Sequence, residues 1–189
     1  MKVISIAAVA WNGVIGLKQG LPWNISEDLK FFRDATRGQM VLMGRNTFEA
    51  LGKPLPHRVN AVLTRDQELS FPAGVRRFSD LAAALHYFKT TSEDAEIQNA
   101  REAGKNLFVI GGAQIYQQAM PWVDEVWLTE IEQVVEGDTT FPYYRDGKFL
   151  CAIENGAEQP FRFDRREVRA QVDLSSPFRY QFSFYRRVT

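Results

Sequence analysis

Short apolar runs alternate along this chain with stretches in which apolar residues recur three and four apart. Residues 2–10 hold Val3, Ile4, Ile6 and Val9, a β-branched run that predicts a buried strand. Helical spacing then predicts a helix over 25–36, followed by a strand over 39–43, a short helix over 46–51 and a strand over 59–64. Another helix is predicted over 79–88, with Ser79 or Asp80 as its cap. Residues 107–110 form an apolar run ending in Gly111-Gly112, after which 114–120 predicts a helix and 125–131 a strand. The last third differs, because 161–172 and 178–187 alternate apolar with polar, and Tyr180, Phe182 and Phe184 share one face. The order is β-α-β-α-β and then β-rich. That predicts a single α/β domain over 1–189, with flanking helices and a mostly parallel sheet that ends in an antiparallel hairpin.

The start, MKVISIAAVAW, has one lysine, an apolar run and an A-x-A-like ending, features shared with a short signal peptide. The strand reading is preferred, since the charged region is a single Lys and the turn-like Asn12-Gly13 leads into more apolar sequence. Residues 90–105 are polar and charged, with few core candidates, and predict a solvated loop or surface helix.

Composition narrows the classes of function. Hydrophobic residues make up 45% and charged residues 24%, and 23 basic residues balance 23 acidic ones. That balance gives no reason to expect nucleic acid or a membrane as partner. Cys151 is alone and His57 and His86 are far apart, so a thiolate cluster, a zinc site and a Ser-His-Asp hydrolase are all poorly supported, and no metal is expected. A lone cysteine also suits a reducing cytoplasm.

Candidate chemistry concentrates in three places. The first is 12–32, NGVIGLKQGLPWNISEDLKFF, with Gly13, Gly16 and Gly20 in a segment able to act as a mobile loop. Pro22 and Trp23 lead into the helix over 25–36, where Asn24 and Glu27 have capping-box spacing. Asp28 lies in its first turns and shares a face with Phe31, Phe32 and Ala35. An acid there either complements the helix dipole or meets a cationic or amidine-like ligand on the apolar face. In the second case desolvation would raise its pKa. The second place is Gly111-Gly112, between a strand and a helix, which suits either a diphosphate or a plain tight turn. The third is Gly44, Arg45 and Thr47, with Thr64 and Arg65 at the end of the next strand and Arg76 and Arg77 soon after. Arginines at consecutive strand ends point to one anionic pocket.

In register along the chain stand Ile6-Ala7-Ala8, Asn12-Gly13-Val14-Ile15-Gly16, Leu21-Pro22-Trp23 with Asp28, Gly44-Arg45-x-Thr47-Phe48, Pro54-Leu55-Pro56-x-Arg58, Ile110-Gly111-Gly112 with Tyr116, Leu128-Thr129, and Glu136-Gly137-Asp138-Thr139. Together these segments resemble dihydrofolate reductase of the bacterial type. The resemblance implies an eight-stranded sheet and NADPH-dependent reduction of 7,8-dihydrofolate to tetrahydrofolate, which feeds the one-carbon supply for thymidylate, purines and amino acids. It further implies antifolates such as methotrexate and trimethoprim-like compounds as ligands, and a cytoplasmic monomer.

Carried over by position, Asp28 would bind the pterin amino group and ring nitrogen, Thr129 would hydrogen-bond Asp28, and Trp23 would hold an ordered water. Ile6, Ala7, Phe32, Leu51, Lys53 and Leu55 would line the pterin and aminobenzoyl pocket, with Arg58 on the glutamate α-carboxylate. Ala8, Ile15, Gly16, Ile110 and Tyr116 would surround the place where nicotinamide meets pterin. Gly111, Gly112, Ala113, Gln114 and Ile115 would hold the diphosphate, with the family's cis bond at Gly111-Gly112. Gly44, Arg45, Asn46, Thr47, Leu63, Thr64 and Arg65 would hold the adenosine side, with Thr139 beside the cofactor and Asp138 tying down the Gly16 loop. Hydride would pass to pterin C6, while N5 would take its proton from water, since Asp28 is expected to lie too far away.

Glu27 is the rival acid, but Asp28 has the bacterial spacing from the tryptophan. The chain departs from the family at Leu21, where many bacterial members have Met, in the longer 90–105 connection, and over 144–176, which aligns poorly. Two alternatives stand beside this reading. One is the similar reductase of riboflavin synthesis, against which the Leu-Pro-Trp segment, Asp28 and the Arg58 motif argue. The other is a non-catalytic folate- or nucleotide-binding relative.

Overall fold

The computed structural model describes residues 1–18, 20–156, 159–170 and 176–188. Strand β1 (Val3–Ala10) is buried almost throughout, which explains why it runs apolar without alternation. Gly13, at φ +84°, turns the chain into the short β2 (Val14–Gly16). Helix α1 (Ser26–Thr36) returns to β3 (Met40–Gly44), which passes directly into α2 (Arg45–Leu51). Next come β4 (Val59–Leu63), β5 (Val75–Phe78), α3 (Leu81–Thr90), α4 (Ala95–Glu102) and β6 (Leu107–Val109). Helix α5 (Ala113–Ala119) leads through a 3-10 turn (Met120–Trp122) to β7 (Glu125–Ile131). After β8 (Thr139–Thr140), β9 (Tyr144–Arg145) and β10 (Lys148–Phe149), a second 3-10 turn (Ile153–Asn155) precedes the long pair β11 (Phe163–Ala170) and β12 (Tyr180–Arg187).

Eight strands form one sheet in the order β11-β12-β7-β1-β6-β3-β4-β5. The pairings from β7 across to β5 are parallel, while β12 is antiparallel to both β7 and β11. The mostly parallel sheet with an antiparallel C-terminal pair is therefore present. Strand alternation sends Ile4 and Ile6 to one face, where Phe31, Phe32 and Ala35 of α1 cover them. Val3 and Val9 face the other way, in a core with Leu85 and Phe88 of α3, Ile97 of α4 and Ala119 of α5. This two-layer burial fixes which side chains of β1 face each layer, and the parallel pairing with β6 and β7 sets its direction.

Several local expectations are corrected. The capping box at Asn24 does not form: α1 starts at Ser26, with Ile25 at its N-cap and no side-chain cap bond. Of the two expected caps for α3, Asp80 is the one that forms, accepting from the Ala83 N–H at 2.8 Å. Strand β5 was not expected, because Val-Arg-Arg-Phe carries an incomplete apolar pattern; as an edge strand it needs only one bonded neighbour. The 90–105 stretch holds a real helix, α4, whose Ile97 is fully buried, so it is more than a solvated surface element. The expected strand over 161–172 begins only at Phe163, and its last two positions, 171 and 172, lie outside the described residues.

Candidate active site

The parallel strands point their carboxyl ends at one edge of the sheet, where a cleft of about 1410 Å³ opens. Pockets for one small ligand run to roughly 300–1,000 Å³, so this cleft has room for two ligands side by side. Its walls come from the ends of β1, β3, β4 and β6, from α1, α2 and α5, and from the β2 loop.

At one end stands Asp28, 7% exposed, on the first turn of α1. The Thr129 hydroxyl on β7 donates to its Oδ1 at 2.6 Å. Burial pushes the Asp28 carboxyl above its ordinary range, and the Thr129 bond opposes part of that rise. Ile6, Ala7, Phe31, Phe32 and Ile110 surround it with apolar wall, and Leu51 extends that wall from α2. Glu27 faces a separate groove beside Lys30 and Asp34, which leaves Asp28 as the buried acid at this end of the cleft.

Between the two ends lie Gly111 and Gly112, joined by a cis peptide bond, as the resemblance implied. Gly111 has φ +103°, and a Cβ there would come within 2.9 Å of the Tyr116 ring. A Cβ on Gly44 would likewise meet Ile115 at 2.9 Å, and the Gly44 N–H donates to the Gly111 carbonyl at 2.8 Å. The ends of β3 and β6 can close on α5 only without side chains at these two positions. The buried Tyr116 hydroxyl donates to the Ile6 carbonyl at 2.7 Å, and burial together with the nearby Asp28 charge raises its pKa.

The other end is more open. Arg45, Asn46 and Thr47 of α2, Leu63, Thr64 and Arg65 at the end of β4, and Ala113, Gln114 and Ile115 of α5 all line it. Ala8, Ile15, Gly16 and Thr139 also line the cleft. The β2 loop is held by pairing with β8 and by Asp138, whose carboxylate accepts from the Lys18 N–H at 2.8 Å and from the Thr139 hydroxyl at 2.9 Å. Those bonds hold the exposed Asp138 carboxyl below its ordinary range.

Four expected site residues do not line this wall. Trp23 is buried in a neighbouring cluster with Ala10, Val14 and Ile131, and its indole N–H makes no bond among the described residues. Leu55 packs behind Phe32 and Ile110, in the same apolar cluster. Lys53 is exposed on the loop after α2, where nothing draws it inward. Arg58 is held beside α1, donating through Nε to Thr36 Oγ1 at 2.9 Å, Nη1 to the Pro56 carbonyl at 2.7 Å and Nη2 to the Arg33 carbonyl at 3.0 Å.

Arg76 and Arg77 leave the anionic pocket altogether. Arg76 forks onto both oxygens of Asp94 at 2.9 and 3.0 Å and also pairs with Glu96, so it braces α4, while Arg77 bonds the Gln67 carbonyl. Sequence reasoning missed Asn60, buried on β4, which clamps the loop bearing Leu55 and Arg58 through bonds with both backbones. Its signal was a single amide inside the apolar run Val-Asn-Ala-Val-Leu.

The model of the family described as dihydrofolate reductase matches residues 2–169. The chain belongs to the dihydrofolate reductase family. It is 32% identical over 183 residues to the dihydrofolate reductase of Bacillus subtilis (strain 168), covering 96% of this chain and 92% of that one. It is 39% identical over 144 residues to dihydrofolate reductase type 3 of Salmonella typhimurium, covering 76% and 80%. Among solved structures it is similar to dihydrofolate reductase from Enterococcus faecalis complexed with NADP(H) and RAB-propyl, with a TM-score of 0.76, 25% identity, and coverage of 100% and 97%. The chain is thus an NADPH-dependent oxidoreductase of this family. Among the described residues, no helix is long and apolar enough to cross a membrane, and no group of three or more His, Cys, Asp or Glu is placed to hold a metal.

Proposed function

We propose that this reductase converts 7,8-dihydrofolate to 5,6,7,8-tetrahydrofolate in a single domain, with Asp28 as the pterin anchor. The observation that carries this reading is a desolvated carboxylate, raised in pKa and bonded on one oxygen, at the apolar end of a two-ligand cleft. Its remaining lone pairs can accept two parallel N–H bonds from the pterin amino group and ring nitrogen. Thr129 orients the carboxylate. Trp23, with a buried indole N–H free to donate, would hold an ordered water near the ring. Proton delivery to N5 then falls to water rather than to Asp28.

Arg58 supports the same pose. A guanidinium has five N–H donors, and the described bonds use one on each of its three nitrogens. The two left, one on each terminal nitrogen, match the fork a glutamate α-carboxylate needs. Asn60 keeps that fork in place by fixing the loop. Lys53 and Leu55 would lie along the aminobenzoyl and glutamate portion.

The cleft fits NADPH in donor chemistry: Arg45, Thr47, Thr64 and Arg65 at the open end suit a phosphate, and Ile15, Ala8 and Ile110 near Asp28 suit a nicotinamide. When bound, NADPH supplies the hydride that pterin C6 receives. The chain contributes orientation, a dry wall and one fixed negative charge. Diaminopyrimidine antifolates would use the same Asp28 pairing.

The decisive experiment follows NADPH absorbance with and without dihydrofolate. Oxidation only in its presence supports this reading. No oxidation, or turnover of a ribosylaminopyrimidine instead, overturns it.

A further inference from the structure

We propose that Asp66 is a specificity-determining residue, which sets how strongly this reductase prefers NADPH to NADH by competing with the 2′-phosphate for Arg45. The inference rests on the reading above, which places the adenosine end of the cofactor at Arg45, Thr64 and Arg65. Asp66 lines that end of the cleft. Its Oδ1 is anchored by the Glu68 N–H at 3.1 Å, which leaves Oδ2 facing Arg45 Nη1 at 3.6 Å. On the other side, Glu49 Oε1 lies 3.6 Å from Arg45 Nε. Arg45 is therefore shared between two carboxylates and is beyond hydrogen-bonding distance of both.

The consequence is electrostatic. Arg45 and Arg65 line this end together with Asp66, and Glu49 flanks Arg45, so the field that Arg45 offers a phosphate is reduced. A phosphate that takes Arg45 comes to lie next to the Asp66 carboxylate, which already stands 3.6 Å from that guanidinium. With a phosphate charge near −2 and solvent on both sides, that repulsion weakens binding about three- to tenfold, more at low salt. A ribose 2′-hydroxyl carries no charge and escapes the effect. Asp66 thus acts only on the cofactor that bears the phosphate. Glu49 adds a smaller contribution from the outer side of the same guanidinium.

The test is equilibrium titration of NADPH and NADH, each against the full chain without substrate, followed by nucleotide fluorescence. Asn at position 66 keeps an acceptor for the Glu68 N–H, so Asp66→Asn removes the charge and retains the turn. The expected result is NADPH binding about three- to tenfold tighter, NADH binding unchanged, and a gain that shrinks with added salt. An unchanged NADPH affinity, or an equal change for both nucleotides, overturns the proposal. Arg45→Ala, measured alongside, separates the two levels. If it lowers the NADPH preference while Asp66→Asn does nothing, only the role of Asp66 falls. If Arg45→Ala leaves the preference unchanged, the placement of the adenosine end falls, and the proposal with it.

Discussion

The two ends of the cleft handle charge in opposite ways. At the buried end one carboxylate, Asp28, lies among apolar side chains and accepts from the Thr129 hydroxyl. At the other end Arg45, Arg65, Asp66 and Glu49 sit in the open, and the ion pairs of Arg45 are loose at 3.6 Å. A charge in a dry wall acts strongly on one partner, whereas charges in water act weakly and must be counted together. The difference teaches where substitution should matter. The buried end depends on one residue, and the open end on a balance.

The largest expected effect is at Asp28. Charge-assisted hydrogen bonds contribute roughly 1.5–3 kcal/mol each, so losing the pterin pair in Asp28→Asn should lower turnover at neutral pH by about a hundredfold or more. Partial recovery is expected as pH falls and substrate pre-protonates. A pH–rate profile matching that of the unsubstituted chain would remove Asp28 from its role, as would unchanged affinity for a diaminopyrimidine antifolate.

Stability should move the other way. Burial raises the folded-state pKa of Asp28, so the native form holds its proton over a pH range in which the unfolded chain has released it. Stability is therefore lost as pH rises through that range, and Asp28→Asn should melt higher than the unsubstituted chain at pH 7. The gain should disappear below the ordinary aspartate pKa. Thermal melts across pH would show it; a lower Tm for the variant at pH 7 would contradict the dry-wall account.

Thr129→Val sharpens the same contrast at smaller scale. It leaves the buried Asp28 Oδ1 without its donor, which should raise the carboxyl pKa further and weaken dihydrofolate binding about tenfold. Equal affinities in a substrate titration would show that the Thr129 bond does not matter. At the open end, Arg45→Ala and Arg65→Ala should each weaken NADPH about three- to tenfold, and the losses should fade in high salt. Salt-insensitive losses would mean that these arginines act through packing.

The smallest effect is expected at the exposed Asp138. Its depressed pKa means that its contribution is present above the unfolded value and lost as pH falls through the folded one. Amide exchange at Lys18 should therefore quicken only in strong acid, or at any pH in Asp138→Ala.

Much of this site was legible because its register is long. The helix that carries Asp28 shows its apolar face in Phe31, Phe32 and Ala35, and the Gly111-Gly112 pair falls between a clear strand and a clear helix. What escaped depends on partners distant in sequence. Arg76 reads as one more strand-end cation until Asp94, eighteen positions on, claims it. The burial of Ile97 cannot be read from a polar segment, since the α3 packing that covers it is tertiary. Asn24 has capping-box spacing, but the helix starts only at Ser26, with Ile25 at its N-cap. Strand β5 and the β2–β8 pair are too short to show a period of two.

The hydrogen bond from Tyr116 to the Ile6 carbonyl joins α5 to β1, two walls of the same cleft. This buried 2.7 Å bond gives the two walls a direct physical connection. Thermodynamic reciprocity then applies: whatever tightening one ligand confers on the other through this bond must be returned in equal measure, whichever binds first.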